Sequence, residues 1–167
     1  DKVSESSRDH IGRVLDILRE TEQNGLLNDH RAEGLSGISG LKTVGALQRL
    51  VRLFAGDDGA CYVEIGVFQG QTLVSAALAA PGLPCFGIDN FATLDPDGKN
   101  KEIASERLHR FKASNATLID ADFEDALENL GSALNGRKIA VYFIDGPHDY
   151  RSQMVCLLLA KRYLHEK

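Results

Sequence analysis

From Cys61 onward the chain alternates short apolar runs with segments of helical periodicity, and each apolar run ends at a glycine or an acidic residue. The runs at 61–65, 85–88, 117–119 and 139–144 predict strands. The spacing of apolar residues over 71–80, 100–114, 123–134 and 150–164 predicts helices between and after them. On the last helix the apolar positions are Met154, Val155, Leu158 and Leu159. Strands alternating with helices build βαβ units around a parallel sheet. Strands apolar on both faces fit a sheet covered by helices on both sides. The expected fold is therefore α/β, a Rossmann-like, doubly wound, mostly parallel sheet. In such sheets ligands bind beyond the carboxyl ends of the strands, so functional residues are expected just after Ile65, Ile88, Ile119 and Ile144.

The first 56 residues read differently. Ile11, Val14, Leu15 and Leu18 share one helical face, with serines upstream to cap it and Asn24-Gly25 to stop it. Gly34, Gly37 and Gly40 punctuate a loop that carries Leu35 and Ile38. A second helix follows, striped by Leu41, Val44, Leu47, Leu50, Val51 and Phe54. Such stripes are expected to pack into a core. The expected organisation is a helical lid or interface over 1–56 and a Rossmann-like core over 57–167, with Leu35 and Ile38 helping to close the pocket.

Composition narrows the function. Nineteen basic against 24 acidic residues give a net charge of −5, which argues against a nucleic-acid partner, since phosphate binding wants a basic surface. No apolar run reaches the roughly 18 residues needed to cross a bilayer, so no membrane partner is expected. Cys61, Cys85 and Cys156 lack the paired spacing of a disulfide framework or a zinc site. Cys61 and Cys85 read as small buried hydrophobes. A cytoplasmic setting is expected from this cysteine usage, and the polar opening at 1–9 shows no leader-like apolar segment.

Each strand end carries candidate chemistry. The first reads Val63-Glu64-Ile65-Gly66-Val67-Phe68-Gln69-Gly70. Glycine lets backbone approach a ligand, and the helix that follows presents free N–H groups; a tight turn needing glycine for geometry alone is the other reading. The second is Ile88-Asp89-Asn90-Phe91. Asp89, about 20 residues after the glycine loop, suits the two hydroxyls of a ribose, as well as a turn or cap. At the third, Asp122 can accept from an exocyclic amine with Phe123 along a purine face, or cap the next helix, or do both. The fourth is Ile144-Asp145-Gly146-Pro147-His148-Asp149-Tyr150. Asp145 can hold a cationic ligand group or a divalent metal, and His148 can serve as a general base; a capping Asp145 and a surface His148 are the bland alternatives.

Together the four motifs resemble class I S-adenosylmethionine-dependent methyltransferases, most closely the methyltransferase-24 type with its Asp-Gly-x-His-x-Tyr stretch, over about residues 60 to 165. The resemblance implies an enzyme with S-adenosyl-L-methionine as cofactor. Glu64, Gly66 and Gly70 would line its methionine end, with Phe68 a further contact in the same loop. Asp89, with Asn90 and Phe91 beside it, would meet the ribose, and Asp122 and Phe123 the adenine. Asp145 would lie near the methionine amino group and the reacting centre. In metal-using relatives the matching aspartate binds Mg2+ or another divalent cation, which makes Asp145 the candidate metal ligand. His148 would contact a small-molecule acceptor or remove its proton, probing for O-methylation of a hydroxyl.

The sequence differs from the family pattern in two places. Four strands are visible where the family sheet has seven, so the C-terminal strands are expected to be lacking, and Cys156 stands where the family often has an aspartate. The exposed sheet edge this leaves makes a homodimer an expected partner arrangement. Two other functions fit the same motifs: a cofactor-binding module without turnover, and a nicotinamide-dependent oxidoreductase. The glycine spacing disfavours the latter.

Overall fold

A computed structural model describes residues 5–27 and 34–166 of the chain. Its elements run α1 (Glu5–Asn24), α2 (Leu41–Arg52), β1 (Ala60–Ile65), α3 (Gln71–Ala79), β2 (Cys85–Asp89), α4 (Asn100–Arg110), β3 (Ala116–Asp120), α5 (Phe123–Leu134), β4 (Lys138–Ile144) and α6 (Tyr150–Ala160). The strands form one sheet in the order β3-β2-β1-β4, parallel throughout. From β1 the chain steps outward to β2 and β3, then crosses back to lay β4 on the other side of β1. The order reverses between β1 and β4, and a crevice at such a switch point is where doubly wound sheets bind ligands.

Alternate side chains of β1 feed two cores. Tyr62 joins Leu47 and Val51 of α2 and Leu73 and Val74 of α3 on one face. Cys61, Val63 and Ile65 join Leu127 and Leu130 of α5 and Cys156 of α6 on the other. Burial on both faces holds for β1 and nearly all of β2, whereas β3 and β4, the outermost strands of the sheet, are only partly covered. Beyond a 3-10 turn at Lys161–Tyr163 the chain returns to the outer side of β4, where Leu164 makes a parallel bridge with Ile139 and the His165 N–H donates to the Ile139 carbonyl at 2.9 Å.

Two helices present faces other than those expected. On α1, Ile11, Leu15 and Leu18 are exposed and Thr21 is buried. The helix lies outside α2 as an outer layer, so only the strip against α2 is covered. On α6 the inward positions are Ser152, Cys156 and Ala160, while Met154, Leu157 and Leu158 are exposed. Small residues spaced by four let the helix lie close to the sheet, and the Tyr142 hydroxyl donates to the Cys156 carbonyl at 3.1 Å. The serine cap expected for α1 falls outside the described side chains.

The division expected at 56/57 marks a change of element type, but packing runs across it: Leu47, Val51 and Phe54 belong to the same core as α3 and the sheet. The turn after α1 is held to α2 by polar contacts. Arg49, 6% exposed, donates from Nη1 to the carbonyls of Gly25 and Gly45 at 2.6 and 3.1 Å. The Leu27 N–H donates to Gln48 Oε1 at 2.9 Å. Gly45 permits this approach, since a Cβ there would stand 2.3 Å from the Gly25 carbonyl oxygen. Gly45→Ala is expected to cost about 1–3 kcal/mol of stability through overpacking, read as a lower urea midpoint at unchanged slope.

Candidate functional site

Four loops at the carboxyl ends of the strands enclose a cavity of about 610 Å³, within the size range of small-molecule and cofactor sites. Gly66 and Phe68 line it from the first loop, Asp89 and Asn90 from the second, Asp122 and Phe123 from the third, and Asp145 and His148 from the fourth. Ile65 and Ile88 add apolar wall, and among the described residues no lysine or arginine lines it.

Gly66 sits at φ +89°, and a Cβ on it would lie 2.6 Å from the Asp145 carbonyl oxygen and the Gly146 nitrogen. The glycine is therefore required for the first and fourth loops to meet, in keeping with the tight-turn reading. The strand ladders continue through this contact: Gly66 N–H donates to the Ile88 carbonyl and Asp145 N–H to the Ile65 carbonyl, both at 2.9 Å.

Asp89 organises the first two loops. Its Oδ2 accepts from the N–H groups of Val67 and Phe68, both at 2.8 Å, and its Oδ1 from Phe91 N–H at 2.7 Å. Phe68 and Phe91 have φ of +52° and +54°, a left-handed backbone that is uncommon for aromatic residues. The carboxylate thus holds two unfavourable conformations in place. A carboxylate offers about four acceptor sites. Three are filled, which leaves one on Oδ1.

Asp122 caps α5, accepting from Glu124 N–H at 2.9 Å through Oδ1, and also lines the cavity. Capping and lining the cavity coexist in one side chain. Across the cavity His148 Nε2 stands 3.8 Å from Asp145 Oδ1, with the imidazole 79% exposed. That spacing is ion-pair reach for a protonated ring and longer than a hydrogen bond. Among the described residues no group of three or more His, Cys, Asp or Glu side chains is placed to hold a metal ion. Asp145, the candidate metal ligand, belongs to no such group.

Three expected contacts lie outside the cavity lining. Glu64 is fully buried behind the wall, because its side chain points from β1 toward α3 rather than past the strand end. There Tyr62 Oη donates to its Oε2 at 2.5 Å and Thr72 Oγ1 to its Oε1 at 3.1 Å. Burial pushes the Glu64 carboxyl up from an ordinary 4.5 to about 8, against the lowering effect of those two donors. Gly70 is the left-handed N-cap of α3 and packs near Ala104. Phe91 turns back onto the core beside α3. Leu35 does likewise, whereas Ile38 lines the cavity as expected.

The sequence reading missed Thr72 and Gln71, in the first turn of α3, which also line the cavity. Their signal was position: the first turn after a glycine loop faces the ligand side. It missed Arg107 as well, whose Nη1 donates to the Ser36 and Gln69 carbonyls at 2.8 and 2.9 Å and ties the glycine-rich loop to the site. The three cysteines are buried. Burial pushes the Cys61 thiol up to about 12 and that of Cys156 to about 11, so neither is a nucleophile at neutral pH.

A family model described as a methyltransferase domain matches residues 63–167. No curated protein matches the chain in sequence. Among solved structures, the chain is similar to the calicheamicin methyltransferase CalS11 at 15% identity and a TM-score of 0.57, covering 99% of this chain and 77% of that one. An apo structure of CalS11, described as a TDP-rhamnose 3'-O-methyltransferase of calicheamicin biosynthesis, aligns at 17% identity and a TM-score of 0.59, covering 99% and 76%. Cofactor-bound Rv0187 from MTB aligns at 16% and 0.56, covering 99% and 70%. At these identities the likeness is one of fold.

The raised Glu64 carboxyl has a signed effect on stability. A carboxyl whose folded value lies above its unfolded one binds more protons in the native state, so its contribution is fully present below about pH 4.5 and lost as pH rises through about 8. At its steepest that loss is about 1.4 kcal/mol per pH unit. Glu64→Gln removes it. Denaturant titrations at several pH values from 5 to 8 are expected to show the variant gaining on the wild type as pH rises.

Proposed function

This chain belongs to the methyltransferase-24 family and is an S-adenosylmethionine-dependent methyltransferase, and from that premise we propose that it methylates a hydroxyl of a small molecule at the cavity between β1 and β4. Membership sets aside the nicotinamide-dependent alternative. No helix among the described residues is long and apolar enough to cross a membrane.

The observation that carries the reading is the Asp145–His148 pair, on a cavity wall that also holds Asp89 and Asp122. Asp89 would bind the ribose at its remaining Oδ1 site. Asp122 would accept from the adenine amine through the oxygen left over from capping, with Phe123 along the ring. Gly66, Phe68 and Asp145 would meet the methionine end, and a lining without lysine or arginine among the described residues suits a positively charged ligand. When bound, S-adenosylmethionine supplies an electrophilic methyl group. The chain's task is then to align an acceptor oxygen with that methyl carbon and take its proton. His148, exposed at the cavity, would do the second, and Asp145 would stabilise the imidazolium that forms.

Calorimetric titration with S-adenosylhomocysteine tests the cofactor assignment. Wild type is expected to bind, and Asp89→Ala to lose about 1–3 kcal/mol, roughly 5- to 150-fold in affinity; a folded variant that binds as well as wild type would remove Asp89 from the site. For the acceptor chemistry, His148→Ala is expected to lower kcat with a hydroxylated acceptor by about 10²- to 10⁴-fold while cofactor affinity holds. An unchanged kcat would assign proton removal elsewhere.

A further inference from the structure

The Tyr62–Glu64–Thr72 cluster has no part in the function just derived, yet it shares a residue with the cavity. Thr72 both lines the cavity and donates its hydroxyl proton to Glu64. Glu64 is 0% exposed, so an ionised carboxylate there would have no water to solvate it. The groups acting on it from the surrounding elements are Tyr62 on β1, Thr72 on α3, Asp89 at the end of β2 and Asp145 after β4, and Cys85 of β2 also feels its charge. The first two are hydrogen-bond donors that favour the carboxylate, and the two aspartates oppose it. Among the described residues no lysine or arginine lines the cavity, so a cationic ligand is the positive charge that would tip the balance.

We propose that Glu64 is a proton-coupled positioning residue: a neutral carboxyl when the cavity holds no cation, ionised when the positive methionine end of the cofactor is seated beyond Thr72, with the proton released to solvent. The inference rests on the assignment of this cavity to the cofactor. Ionisation fixes the direction of two hydrogen bonds. A carboxylate accepts only, so the Thr72 hydroxyl proton is committed inward and its lone pairs face the ligand. Cofactor charge and Thr72 orientation thereby become one event, and cofactor affinity rises with pH until Glu64 is ionised without help.

The test is calorimetry of S-adenosylmethionine binding to the full chain at pH 7, in phosphate and in Tris, whose ionisation enthalpies differ widely. The difference in apparent heat reads the protons exchanged. Wild type is expected to release a proton, up to one per site, with the release fading above about pH 8. Glu64→Gln is expected to bind without release. The ligand's own amine, placed among carboxylates, would take protons up, which is the opposite sign. Tyr62→Phe provides a second arm. Removing one donor raises the proton affinity of Glu64, so release is expected to persist to higher pH. Binding by wild type without release, release unchanged in Glu64→Gln, or release that fades in Tyr62→Phe at the same pH as in wild type would overturn the proposal and leave the cofactor assignment standing. No binding by folded wild type would overturn both.

Discussion

The contact on which the site depends is backbone against backbone: Gly66 lies on the Asp145–Gly146 peptide with no side chain between them. β1 is hydrogen-bonded on both sides, and its ladder runs one residue beyond the strand end in each direction, through Gly66 to Ile88 and from Asp145 to Ile65. The first, second and fourth loops are therefore fixed by the sheet itself. Side chains carried on such loops need little further ordering when a ligand arrives, which is the condition for precise alignment of reacting atoms. Asp89 extends the same order outward, because its carboxylate holds the backbone of both Phe68 and Phe91.

Concentrating acids at one end of a sheet would ordinarily be unfavourable, and the structure handles each differently. Asp89 is neutralised by three backbone N–H groups, and Asp122 by the N-terminus of α5. Charged acceptors on N–H donors are among the stronger hydrogen bonds. Asp145 keeps partial access to water. Glu64, with neither water nor backbone donors, is the one whose carboxyl burial pushes up, to about 8. The environment of each carboxyl sets how its charge is accommodated.

The alternation of strands and helices was legible because period-2 and period-3.6 patterns are local properties of the chain. All four strands and the helices between them fall within a few residues of their expected positions. The strand-end rule then brought Gly66, Phe68, Asp89, Asn90, Asp122, Phe123, Asp145 and His148 to one cavity. What failed to show was facing. A glutamate before a glycine loop looks like a ligand contact, but position 64 alternates with 65, and only the packing of α3 decides that its side chain is enclosed. The stripes of α1 and α6 misled for the same reason: periodicity says that a helix has an apolar face, and its neighbours say whether that face is covered. On α6 the small residues Ser152, Cys156 and Ala160 won the inward position over Leu157 and Leu158.

The segment before β1 was expected as a lid, and its anchoring bears on what such a lid can do. Leu35 packs onto the core, Ser39 N–H donates to Gln71 Oε1 at 3.2 Å, and Arg107 holds the Ser36 carbonyl. Gly37 crosses so close to the Gln71 side chain that a Cβ would meet its Oε1 at 2.4 Å. Ile38 therefore reaches the cavity from a loop fastened on both sides of it, to α3 and to α4. Gln71 and Thr72 are consecutive in the first turn of α3: one carries this roof, and the other links the cavity to Glu64. The roof over the cavity and the buried carboxyl therefore share a single structural element, the first turn of α3.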